Sequence, residues 1–230
     1  MPPMTEPPAP VPTPVPAAGL LVLFDWNGTL VLDTARARDA LNDVLRARGL
    51  AALSPGDFAI RFRLPMAEMF AALGVRRSEA ADAESEWNAA VARRVARPRD
   101  GLVEGLGQLA SRGATLGIVS AAAAQVIETD LLRIGVPTPF ATIDTAVPDK
   151  ARALRARRGT AQRAYYVGDT VHDIHSALVT GYVPIGVADG YTGVSRLVAA
   201  GATAIVGDLR ELIGLIFRDP GGAAEGGAAR

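Results

Sequence analysis

Four short segments carry side chains suited to phosphoryl transfer: Asp25-Trp26-Asn27-Gly28-Thr29-Leu30, Ser120, Lys150 and Gly168-Asp169-Thr170-Val171-His172-Asp173. A carboxylate can attack phosphorus and become an aspartyl-phosphate. Carboxylates and phosphate oxygens are also what Mg²⁺ prefers, because it keeps several waters and takes few protein ligands. A hydroxyl, backbone N–H groups and an ammonium can hold the remaining phosphate oxygens and offset developing charge. Gly28 lets the backbone turn sharply and approach a phosphate closely. Simpler roles exist for some of these groups. Ser120 precedes a predicted helix and could be its N-cap, and Asp169 and Asp173 could be acids placed by a helix N-terminus.

Lys150 is the single lysine among 24 basic residues. In a chain that otherwise uses arginine, it marks a place that wants a compact ammonium on a flexible stem rather than a planar fork. With no cysteine, disulfides, Cys-ligated metals and a thiol nucleophile are excluded. His172 and His175 are the two histidines, too few for a three-His metal site; His172, beside Asp173, could serve as an acid or base. Acidic and basic residues balance at 24 each, which argues against a nucleic-acid surface. Gly105 and Gly107 follow no strand and lack a third glycine, so they make no dinucleotide fingerprint. Lys150 follows Asp149 rather than glycine, so there is no Walker-type loop.

These residues must be positioned by the elements around them. Short apolar runs at 20–24, 114–119, 164–167, 183–187 and 203–206 alternate with helical patterns near 102–112, 122–134, 148–157, 172–180 and 193–200. Continuous apolar strands between helices predict a parallel sheet covered on both faces, a doubly wound α/β domain. Ligands bind at the carboxyl ends of strands in such a sheet, where the candidate residues fall. Residues 33–99 hold helical patterns (34–48, 66–73, 78–95) and no strand-like run, and are expected to be an all-helical cap inserted between residues 20–32 and 100–215 of the core. Residues 1–19, with eight prolines, read as an extended arm and a poor signal peptide. Residues 216–230 read as a loose Gly/Ala tail. No run approaches the roughly 18–20 apolar residues of a membrane span, so a cytoplasmic protein with no membrane partner is expected.

In order and at strand ends, the four segments resemble the four motifs of the haloacid dehalogenase superfamily of hydrolases. The resemblance spans residues 20–212, and the insertion at 33–99 is similar to the family's class I helical cap. Arg63-Leu64-Pro65, Leu73-Gly74 and Gly190-Tyr191 make the chain similar to its phosphoglycolate-phosphatase-like members. The resemblance implies a Rossmann-like core and a Mg²⁺-dependent phosphatase for a small phosphorylated metabolite, acting as monomer or homodimer. It implies Asp25 as nucleophile and metal ligand, and a metal-binding backbone carbonyl at Asn27. Thr29 would support the loop, Ser120 would hold a phosphate oxygen, and Lys150 would bridge nucleophile and phosphoryl group. Asp169 and Asp173 would complete the metal site, Asp173 directly or through water, and Arg63 could reach the substrate from the cap.

The sequence departs from the family at Asn27, where its phosphatases carry the aspartate that acts as general acid and base. An amide can do neither. The alternative function is therefore a binding or regulatory protein with weakened turnover. Two other family chemistries fit less well. A Schiff-base mechanism needs a cap lysine, and residues 33–99 contain none. Dehalogenation has no use for the metal carboxylates that Asp169 and Asp173 preserve.

Overall fold

The computed structural model describes residues 19–136, 140–159 and 161–217. The proline-rich segment up to residue 18 and the tail from residue 218 lie outside the described residues. The strands are Leu20–Phe24 (β1), Val31–Leu32 (β2), Arg97–Pro98 (β3), Thr115–Val119 (β4), Phe140–Asp144 (β5), Arg163–Gly168 (β6), Val183–Val187 (β7) and Ala204–Val206 (β8). Six of them form one parallel sheet in the order β5-β4-β1-β6-β7-β8.

All five residues of β1 are buried because the strand is paired on both edges and covered on both faces. Val22 and Phe24 pack with Leu106, Leu109 and Leu212 on one side. Leu21 and Leu23 pack with Leu154, Tyr166 and Ala177 on the other. The alternation follows from the two-residue repeat of a strand. The covering helices are Leu102–Ser111 (α5), Ala124–Ile134 (α6), Lys150–Arg157 (α7), Val171–Leu178 (α8), Val194–Ala199 (α9) and Leu209–Ile216 (α10). β5 is a strand that the apolar runs do not announce. As an edge strand its residues alternate between half-buried and exposed, so it has no continuous apolar stretch. Its end at Asp144 is what brings Lys150, the first residue of α7, to the sheet's carboxyl edge. α10 is also absent from the sequence reading, although its apolar face closes the core with Leu209, Leu212, Ile213 and Ile216.

The residues between β2 and β3 form helices Thr34–Ala47 (α1), Pro55–Arg61 (α2), Met66–Ala72 (α3) and Ala80–Arg93 (α4), with a 3₁₀ turn at Arg77–Glu79. They gather their own apolar cluster around Leu41, Leu45, Phe58, Phe70, Trp87 and Val91. The two chain crossings into and out of this helical insertion pair as an antiparallel ribbon, Val31 with Pro98 and Leu32 with Arg97. That ribbon corrects the expectation that residues 33–99 hold no strand. Proline is tolerated there because the ribbon is all edge.

A second tie joins cap to core. The guanidinium of Arg36 in α1 donates to both carboxylate oxygens of Asp130 in α6, at 2.7 and 2.8 Å, and to Asp33 at 3.2 Å. The indole N–H of Trp26 also donates to Asp130, at 3.1 Å. These four side chains are buried, so removing one partner strands a charge. Arg36→Met is expected to cost about 3–5 kcal/mol, the usual penalty for breaking a buried pair. Pairing it with Asp130→Leu should recover a large part, which urea unfolding of the two variants measures.

Candidate active site

β1 delivers Asp25 to the centre of the sheet's carboxyl edge, and its backbone N–H donates to the Val167 carbonyl of β6 at 2.9 Å. The chain then coils tightly. The N–H groups of Thr29, Leu30 and Val31 converge on the carbonyl of Trp26 at 3.2, 2.9 and 3.2 Å. Gly28 takes φ +75°, and a Cβ there would strike the carboxylate of Asp169 and the ring of Tyr191. Glycine is thus required twice, for its conformation and for the closeness of Asp169.

The loop is fixed from outside by two residues that the motif reading did not single out. Arg99, buried just after β3, donates to the carbonyls of Thr29, Gly28 and Gly207 at 2.5, 2.7 and 2.9 Å. Asp33 accepts from the N–H of Gly28 at 2.9 Å and from the Tyr191 hydroxyl at 3.1 Å. Nothing local in the sequence marks Arg99, one arginine in an arginine-rich chain. Asp33 could have been noted as the first charge after an apolar stretch.

One oxygen each from Asp25, Asp169 and Asp173 lies within 4.8 Å of the others, and all three residues are buried. Lys150 is embedded among them, with Nζ 2.9 Å from Asp25 and 2.6 Å from Asp173. Asp173 is fully engaged: one oxygen takes Lys150 and the Tyr166 hydroxyl, the other takes the N–H and hydroxyl of Thr170 in a capping box at the start of α8. Asp169 accepts from the Thr29 hydroxyl at 3.1 Å and from the Tyr191 N–H at 2.6 Å. Asp25 accepts from the Trp26 N–H at 2.7 Å.

The electrostatics follow from this crowding. Burial pushes the carboxyl of Asp25 above its ordinary range, against the pull of Lys150. Burial, with Asp173 and Asp25 as like-charged neighbours, pushes Asp169 up strongly. Burial would raise Asp173 too, but the Lys150 charge and the hydrogen bonds from Lys150 and Thr170 outweigh it and hold this carboxyl low. Burial would lower Lys150, but Asp173 and Asp25 outweigh it and raise it above the ordinary ammonium range. Three buried carboxylates against one ammonium leave two negative charges without a partner. A hard dication would offset them, and the all-oxygen donor set is the kind Mg²⁺ takes. Asn27 adds a buried side-chain oxygen with no hydrogen-bond partner.

The structure thus brings together Asp25, Thr29, Ser120, Lys150, Asp169 and Asp173, with Asn27 in the same loop. Ser120 lies at the end of β4, buried, its backbone N–H on the Asp144 carbonyl at 2.9 Å and its hydroxyl accepting from Ala122 at 3.2 Å. Ala123, not Ser120, is the N-cap of α6. Arg63 stands apart from the cluster, exposed in the cap, with its Nε on the Arg61 carbonyl. His172 and His175 are exposed on α8.

With fold and site in place, the comparisons with known proteins are direct. A family model described as haloacid dehalogenase-like hydrolase matches residues 22–187, and the chain belongs to that family. Among curated relatives, a phosphoglycolate phosphatase of Rhodospirillum rubrum is 30% identical over 227 residues, covering 87% of this chain and 92% of that protein. One from Synechococcus elongatus is 37% identical over 106 residues, covering 44% of this chain and half of that protein. A solved structure from Clostridium acetobutylicum, described as a predicted phosphatase, superposes with a TM-score of 0.76 at 20% identity, over 87% of this chain and 99% of that one.

The buried hinge carboxyl gives the site a pH signature. Burial raises Asp33 to about 6, against the pull of Arg36, whose two nitrogens are already committed to Asp130. Because the folded value lies above the unfolded one, the folded state holds the proton longer. The stability Asp33 contributes is full below about pH 4 and is lost as pH rises through about 6. The unfolding free energy of wild type minus that of Asp33→Asn should therefore fall across this window and level off above it. A flat difference would contradict the burial argument.

Proposed function

We propose that the chain is a Mg²⁺-dependent phosphatase that hydrolyses a small phosphorylated metabolite through an aspartyl-phosphate on Asp25. The observation that carries this reading is the placing of Asp25 at the tip of the central strand, 2.9 Å from the only lysine and among the carboxylates of Asp169 and Asp173. The names of the curated relatives support it and point to phosphoglycolate-like substrates.

In this reading a carboxylate oxygen of Asp25 attacks phosphorus in line with the departing alkoxide, forming the oxygen–phosphorus bond as the ester bond breaks. Lys150, anchored by Asp173, offsets the charge gathered on nucleophile and phosphoryl oxygens. Ser120 donates to a phosphoryl oxygen. Asp25, the Asn27 carbonyl and Asp169 would hold Mg²⁺, with Asp173 acting through Lys150 or a water, since both of its oxygens already have protein donors. When bound, the ion supplies charge neutralisation at the phosphoryl oxygens. Water then cleaves the acyl phosphate and returns Asp25.

Asn27 replaces the usual acid and base. Its unpartnered amide oxygen can accept a hydrogen bond and so orient a water or a leaving hydroxyl, but it cannot take up the proton. Residues 33–99, cap in this reading, close the site against bulk water and carry Arg63 towards the substrate's non-phosphate end. The reading extends to a cytoplasmic enzyme, monomer or homodimer; among the described residues no helix is long and apolar enough to cross a membrane. A second reading, a phosphate-binding regulatory protein, is favoured by Asn27 alone. Phosphate release from a panel of phosphorylated metabolites, with and without Mg²⁺, separates the two.

Removing Mg²⁺ or making Asp25→Asn should abolish turnover of an aryl phosphate. Lys150→Arg should impair it severely, because a planar guanidinium does not fit between two carboxylates spaced for an ammonium. Full activity in Asp25→Asn would overturn the mechanism. Asn27→Asp should leave aryl phosphate turnover nearly unchanged, since that leaving group needs no proton. On an alkyl phosphate it should raise turnover by a sizeable part of the roughly 10²–10⁴-fold worth of general acid–base catalysis. Steady-state rates on one substrate of each kind measure this.

A further inference from the structure

Tyr191 touches three parts of the molecule at once. Its backbone N–H donates to Asp169 Oδ2 at 2.6 Å. Its hydroxyl donates at 3.1 Å to Asp33 Oδ1, the oxygen that also accepts the Gly28 N–H. Its ring packs against Phe62 and Phe58, with centroids 4.4 and 6.0 Å away. Phe58 belongs to α2 and Phe62 is its C-cap, so these rings are the cap's. Gly190 permits the approach, because a Cβ there would collide with the Asp169 carboxylate.

The three contacts differ in how easily they yield. Other ties to the core among the described residues include the β2–β3 ribbon, the buried Arg36–Asp130 pair, the Arg133 guanidinium on the carbonyls of Ala92 and Arg94, and Val126 of α6 in the cap's apolar cluster. Separating a two-pronged buried ion pair strands two charges. Separating tilted aromatic faces leaves no charge or hydrogen-bonding group without its partner. The aromatic seam at Tyr191 can therefore part without stranding a charge, which the Arg36 side cannot. A shift of Phe62 then reaches the Asp169 carboxylate through a single residue.

We propose that Tyr191 is a positioning residue that couples the seating of the cap, through Phe58 and Phe62, to the orientation of the carboxylate of Asp169. The proposal rests on the reading of Asp169 as a metal ligand. It makes the affinity of the site for a divalent cation depend on cap residues that hold no ligand atom.

The test is Mg²⁺ binding to the full chain by titration calorimetry, with melting temperature recorded for each protein without metal. Wild type should bind Mg²⁺ and Asp169→Asn should lose most of that binding. If wild type binds none, or Asp169→Asn binds as wild type, the reading of Asp169 fails and the proposal falls with it. Given that control, Phe62→Ala and Tyr191→Ala should each weaken Mg²⁺ binding about tenfold, the low end of what partners behind a metal ligand are worth. Their double variant should weaken it little further, because both act along one path. Tyr191→Phe keeps ring and backbone N–H and should bind within about twofold of wild type. Phe62→Leu, which keeps apolar volume without the ring, replaces Phe62→Ala if the latter fails to fold. Ring-removing variants that melt lower but bind Mg²⁺ as tightly as wild type would overturn the proposal, leaving Tyr191 a packing residue only.

Discussion

Three carboxylates and one ammonium buried at the end of a sheet are the constraint around which this structure is arranged. Burying like charges together is unfavourable unless each is hydrogen-bonded and the sum is offset. The surrounding architecture meets the first condition group by group. Asp173 is saturated by Lys150, Tyr166 and the turn at Thr170. Asp169 takes one donor from the first loop and one from the segment after β7. Asp25 takes its own loop's N–H and Lys150. The second condition is met only in part: one ammonium stands against three carboxyl groups.

The loop after β1 is the mechanical consequence. It must place Asp25 within reach of Lys150 while yielding room to Asp169, so it coils on the Trp26 carbonyl and passes through a left-handed glycine. Such a turn is held from behind by Arg99, which takes three backbone carbonyls, and by Asp33, which takes an N–H. Both residues lie where the chain passes between core and cap. The supports of the loop after β1 thus lie at the two crossings between the sheet and the helical insertion.

Much of this could be read from the sequence, and the pattern of what could not is physical. β1 and β7 are legible to the residue because central strands, covered on both faces, are unbroken apolar runs. β5 is hidden because an edge strand alternates, and Phe140–Asp144 offers only two large apolar side chains. The site residues Asp25, Ser120, Lys150, Asp169 and Asp173 stand out because the chemistry restricts residue type, most visibly at the lone lysine. Arg36, Asp130 and Arg99 do not. Each is one of many acids or arginines, and their partners lie 94 residues apart for the ion pair and 70 for the Arg99 contact with Thr29. Pairing at such separations has no local signature. Burial distinguishes these residues, and burial is a property of the fold.

β1 precedes both of its partners in sequence yet lies in the middle of the sheet, which bears on how the protein is made. Leu21 must pair with Thr115 on one side and Ala164 on the other, so during synthesis β1 waits for β4 to gain one partner and for β6 to gain the second. The insertion at 34–93 faces no such wait. Its helices contact near neighbours in sequence and collect an apolar cluster largely of their own, the kind of local topology that forms quickly. During synthesis these helices can form before Lys150, Asp169 and Asp173, the neighbours of Asp25, have been made. Asp25 therefore meets its full set of neighbours only once β6 and the start of α8 have been added, and β7, β8 and α10 close the core after it.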